Sequence, residues 1–159
     1  MNSPAVKAFG EERIAAGEKC LVVDLADCTG MDSTFMGTLA GMAARLSAAD
    51  GGALQIAEPG ERNRRSLEDL GLDFLMQIDP PDAMWRGKVS EIRATLQPPR
   101  LPGSPSRLQR TRHVLEAHQT LAGLNEKNAR GFSGVVNLME QELAEKSAKE
   151  KLAESGGNG

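Results

Sequence analysis

Tyrosine is absent, Trp85 is the one tryptophan, and aromatics make up 3% of the 159-residue chain, so any core must be built from Leu, Val, Ile, Met and Ala. Two cysteines, Cys20 and Cys28, are too few for a disulfide framework; they read as small hydrophobes in a reducing compartment. The longest charge-free stretch, Ser33 to Ala44, is 12 residues, too short to span a bilayer. Residues 1–10 have neither the basic nor the apolar region of a signal peptide, and a soluble cytoplasmic protein is expected. A net charge of −3 leaves no electrostatic footprint for nucleic acid or an anionic membrane. No Walker-type loop, G-x-G-x-x-G or G-x-S-x-G occurs. His113 and His118 lie five apart, about 140° round a helix, so they cannot share a metal from one face. They read as solvated helix histidines, and no metal or cofactor is expected.

What remains is an ordinary globular composition, 40% apolar and 26% charged, sized for one domain with a small appendage. Residues 1–96 carry 10 basic and 15 acidic groups, net −5; residues 97–159 carry 9 and 7, net +2. The first part alternates helix and strand. Asn2-Ser3-Pro4 caps a helix ending near Gly17. Cys20 to Leu25 is a near-continuous apolar run, expected as a central strand covered on both faces. A helix over Ser33–Ala49 stops at Asp50-Gly51-Gly52, followed by a strand over Ala53–Ala57. A helix over Glu61–Leu70, a strand over Phe74–Ile78 and a weaker helix over Asp82–Leu96 complete it. That alternation predicts an α/β fold with a largely parallel sheet and helices packed on it. Residues 97–106, with Pro98, Pro99, Pro102 and Pro105, form a semi-rigid linker. Two amphipathic helices follow within 107–145, breaking near Asn125 to Gly131, and the charged, Gly-rich tail 146–159 is expected to be disordered.

The informative segment is Met31-Asp32-Ser33-Thr34-Phe35-Met36-Gly37, where a strand hands over to a helix. Asp32, Ser33 and Thr34 can each cap the helix. Met31, Phe35 and Met36 surround these hydroxyls with bulky apolar groups, expected at the surface. Along the same helix Phe35, Leu39, Met42 and Leu46 share the sheet-facing side, while Gly37, Gly41, Ala44 and Ala48 cluster nearly opposite with only Arg45 charged. That bare face predicts a cover, either the C-terminal helices or a separate partner.

Leu21-Val22-Val23-Asp24-Leu25, Cys28, and Met31 through Leu39, continuing through Gly52 to Ile56 and Leu67 to Phe74, resemble the STAS domain of bacterial anti-sigma factor antagonists over roughly residues 4–96. The resemblance implies a STAS domain over 1–96 with a mixed, largely parallel sheet, whose usual N-terminal strand pair is not seen here. Either the chain continues upstream of Met1 or another chain, such as a second copy in a homodimer, fills the open sheet edge. Phe35 stands where many members have Gly, enlarging the apolar rim.

By this resemblance Ser33 is the phosphorylated hydroxyl, with Thr34 as fallback acceptor. The kinase is the partner, a serine-kinase anti-sigma factor bound through Met31, Asp32, Thr34, Phe35, Met36, Gly37 and Gly41, with a serine phosphatase reversing the mark. The chain itself is then no enzyme. A scaffold subunit of a signalling or lipid-transport complex is the alternative. An enzyme would have to draw on Asp24, at the carboxyl end of a strand, with Asp27 and Asp32 nearby; magnesium binding at Asp24 would be its mark.

Overall fold

The computed structural model describes residues 2–98 and 103–155. Helix α1, Ser3–Ala15, starts at Asn2, whose side-chain oxygen accepts from the Ala5 amide, with Pro4 in the first turn where no amide is needed. Strand β1 (Cys20–Asp24), helix α2 (Ser33–Ser47), strand β2 (Ala53–Ala57) and helix α3 (Gly60–Asp69) follow. A 3-10 turn at Leu72–Phe74 leads to strand β3 (Gln77–Ile78), and helices α4 (Val89–Thr95), α5 (Arg107–Ala122) and α6 (Glu126–Ser155) complete the chain.

The strands form a parallel sheet in the order β1-β2-β3, with Cys20 to Asp24 in register with Ala53 to Ala57, and Gln55 and Ile56 with Gln77 and Ile78. This is the expected α/β fold with helices on the sheet and helices at the C-terminus. Leu54 and Ile56 of β2 bury against Leu39, Met42 and Leu46 of α2. Leu67, Leu72 and, from α5, Leu121 join the same cluster, so the C-terminal helices share one core with the sheet. Gly52 lets the chain turn into β2 tightly, since a Cβ there would lie 1.9 Å from the Leu46 carbonyl oxygen.

Gln55 alternates to the other face of the sheet, where its side-chain oxygen accepts from Trp85 Nε1 at 2.7 Å and the indole is buried. Arg93 of α4 reaches the carboxyl ends of two strands, donating to both oxygens of Asp24 at 2.7 and 3.1 Å and to Glu58 at 2.9 Å.

Several local expectations are corrected. β1 is an edge strand, not the central one: among the described residues it pairs only with β2, and Cys20, Val22 and Asp24 alternate outward. Cys20 is therefore exposed and Cys28 half-buried, rather than both being core hydrophobes. Gly71, at φ 73°, turns the chain out of α3 into the 3-10 turn. Phe74 consequently sits 90% exposed, and the strand expected from it shrinks to two residues. The helix expected over Asp82–Leu96 begins only at Val89. The break between the last two helices falls at 123–125, and α6 runs on through Ser155 where disorder was expected. Lys146, pairing with Glu142 one turn back and donating to Thr111 Oγ1 at 2.9 Å, ties that stretch to α5. Residues 99–102 of the linker, including Pro99 and Pro102, and the Gly-rich end 156–159 lie outside the described residues.

Candidate functional site

The loop between β1 and α2 is pinned from α3 before the helix begins. Asn63 Nδ2 donates to the Cys28 carbonyl oxygen at 2.6 Å, and Arg62 to that of Thr29 at 3.3 Å. Asp32 then caps α2: its Oδ1 accepts from the Phe35 amide at 2.7 Å, so the carboxylate is consumed in starting the helix. Ser33 and Thr34 occupy the first turn, both half-buried, and Asp32 is exposed.

The apolar rim is not the open surface expected from the sequence. Met31 is half-buried, while Phe35 and Met36 are 5% and 9% exposed and belong to the core. Phe35 and Met36 join Leu39, Leu54 and Ile56 in the core cluster, and α5 lies along the N-terminal half of α2. At Gly37 the two backbones approach so closely that a Cβ would sit 2.3 Å from the Ala117 carbonyl oxygen. The cover is partial: a Cβ at Gly41 would meet no packed neighbour within 4 Å, and Ala44 and Ala48 are exposed. The charge-poor face is thus matched by a cis partner at its first turns only.

Two side chains that sequence reasoning assigned to solvent lie in this interface. His118 and His113 are 6% and 8% exposed. His118 Nε2 lies 2.9 Å from Ser33 Oγ, its Nδ1 lies 2.8 Å from the Val114 carbonyl oxygen, and Phe132 of α6 meets the ring edge-on with centroids 5.5 Å apart. One turn earlier on α5, His113 Nε2 lies 3.1 Å from Ser3 Oγ of α1 and 3.4 Å from Thr38 Oγ1 of α2. A signal existed in the sequence. The stripe Val114, Ala117, Leu121 and Leu124 has its centre about 60° from His113 and about 80° from His118, so both histidines flank the buried stripe rather than oppose it.

Burial holds the His113 imidazole below its ordinary pKa, Lys7 adds to this, and Glu116, Glu11 and Asp32 act in the opposite sense. The neutral ring is favoured in the fold while the unfolded chain takes a proton below about pH 6.5. Stability from this site is therefore complete above that pH and declines as pH falls toward the folded value. Urea midpoints at pH 7.5 and 5.5 are expected to differ less in His113→Asn than in the wild type. An equal difference in both proteins would contradict this.

Asp24 offers no open carboxylate: hydrogen bonding to Arg93 holds it below the usual range, its burial opposing and the Ala26 amide assisting. Among the described residues no group of three or more His, Cys, Asp or Glu is placed to hold a metal ion. No helix among them is long and apolar enough to cross a membrane.

The sequence pattern of the STAS domain family matches residues 1–82, more than half of the chain, and spans α1 through β3. The chain belongs to the STAS domain family. No curated protein and no solved structure matches it. The Asp32-Ser33 start of α2 lies within the matched STAS domain, whereas His113, His118 and Phe132 come from outside it. The site around Ser33 is thus assembled from the STAS domain and from helices that the family pattern does not include.

Proposed function

We propose that this STAS protein is a partner-switching regulator of the anti-sigma factor antagonist type, controlled by phosphorylation of Ser33, with Thr34 as the fallback acceptor. The observation that carries this reading is the Ser33 hydroxyl itself, half-buried in the first turn of a capped helix in the position that the family resemblance marks. A phosphate there adds about −1.5 to −2 charge. The free amides and dipole of a helix start favour such a charge, so the STAS fold survives it. An apolar interface laid over it does not, because burying an unpaired dianion costs several kcal/mol.

On this reading a serine-kinase anti-sigma factor binds at Met31, Asp32, Thr34, Phe35, Met36, Gly37 and Gly41. The kinase supplies the catalysis and a serine phosphatase reverses it. Helix α5 covers this surface at Gly37, so on this reading the partner engages it with α5 in place, from the exposed Asp32 side. The same coverage favours a second reading, a constitutive scaffold whose α2 face is satisfied in cis.

Phosphopeptide mass spectrometry of protein purified from its native host separates the two. The peptide Cys20 to Arg45 is expected to carry phosphate on Ser33 under some growth or stress conditions. A Ser33 left unmodified under all of them transfers the weight to the scaffold.

A further inference from the structure

The switch as described gives His118 no task, yet its geometry is tightly constrained. A carbonyl only accepts hydrogen bonds, so the proton of the neutral ring sits on Nδ1, facing Val114. Nε2 is then bare, and the Ser33 hydroxyl donates to it across 2.9 Å. The edge-on Phe132 and the burial of the ring hold it in this orientation while α5 and α6 stay packed. A hydroxyl aimed at a fixed imidazole whose far nitrogen is anchored is the arrangement of nucleophile, base and orienting group. The amides of Ser33 and Thr34, the first two of α2, have no preceding turn to bond and can donate to negative charge developing beside Oγ. Ser33 keeps part of its surface in solvent, so an electrophile can approach.

We propose that His118 is the general base of Ser33, making this serine a nucleophile toward electrophilic phosphorus, and that α5 is therefore part of the modification site as well as its cover. In the phosphoryl transfer, Ser33 Oγ bonds to the γ-phosphorus of a nucleoside triphosphate held by the kinase. The bond from that phosphorus to its bridging oxygen breaks, the nucleoside diphosphate leaves, and the hydroxyl proton passes to Nε2 of His118. The imidazolium so formed stays anchored on Val114 and faces the new phosphate. The use of a nucleoside triphosphate rests on the partner-switching reading; the nucleophilicity of Ser33 does not.

The test therefore needs no kinase. With diisopropyl fluorophosphate on the full chain, Oγ bonds to phosphorus, the phosphorus–fluorine bond breaks, fluoride leaves, and the proton goes to His118. Labelling is expected at Ser33 by peptide mass spectrometry, and His118→Gln is expected to slow it about 100-fold with hydrogen-exchange protection of α5 unchanged. The glutamine amide can accept the hydroxyl's hydrogen bond but cannot take its proton. Equal rates in the two proteins, or labelling of Ser33 no faster than of the exposed Ser47, would overturn the proposal. A glutamine that loosens α5 would confound the rate, so the wild-type ring is read directly by nitrogen-15 NMR. A proton on Nδ1 with Nε2 bare supports the base, and a proton on Nε2 in the neutral ring overturns it. Ser33 labelling that depends on His118, in a protein whose Ser33 is never phosphorylated in its host, would leave this proposal standing and remove the partner-switching reading.

Discussion

Gly37→Ala is expected to destabilise the protein, while Gly41→Ala, one turn further along the same face, stabilises it. Intrinsic helix propensity favours both changes by about 0.5–1 kcal/mol, since alanine loses less backbone entropy in a helix interior than glycine. Packing opposes only the first. At Gly37 the added methyl would lie 2.3 Å from the Ala117 carbonyl oxygen and 2.7 Å from its carbon, both backbone atoms that no rotamer change can move aside. Helix α5 must then retreat, and such overpacking costs about 1–3 kcal/mol. Gly41 borders a cleft of about 270 Å³ between α1, α2 and α5, and a methyl there meets nothing. Urea unfolding of the two variants reads the signs, and hydrogen exchange should show protection lost from α5 in Gly37→Ala. Stabilisation by both substitutions would mean that α5 does not rest on α2 in solution.

Leu121→Ala is expected to cost about 2–5 kcal/mol, a large share of the stability of a domain this size. Leu121 is fully buried and lies in the cluster that also holds Leu39, Leu46, Leu54 and Ile56, so the cavity opens in the STAS core although the residue belongs to α5. The consequence reaches the sheet. Trp85 packs on Gln55 of β2, on the other face from that cluster, and reports the STAS domain by fluorescence. Its unfolding midpoint should fall together with the loss of helical circular dichroism, in one transition. A Trp85 midpoint unmoved by the substitution would show the helices folding as a separate unit and would weaken any regulation of Ser33 through them.

Local pattern carried much of this architecture. β2 over Ala53–Ala57 and the start of α2 at Ser33 were legible because branched residues between glycine punctuation, and a capping aspartate before a helical stripe, act over a few residues. The strand expected over Phe74–Ile78 failed because the left-handed turn at Gly71 redirects the chain, and apolar content alone does not reveal that. Cys20 to Leu25 looked doubly covered, yet a strand's place in a sheet depends on how many neighbours it finds, which its own residues do not encode.

The sequence by itself determined the α/β alternation, the membership of the STAS family and the placing of Ser33 beside a capping aspartate at a helix start. All three follow from periodicity and motif over short spans of chain. Only the tertiary structure decided what lies on that serine. His118 is 85 residues away, and its meeting with Ser33 requires α5 to cross α2 where Gly37 lets two backbones touch. The spacing of charges and small residues announced a covered face but could not specify its cover, because contact between distant segments is settled by the packing of whole helices.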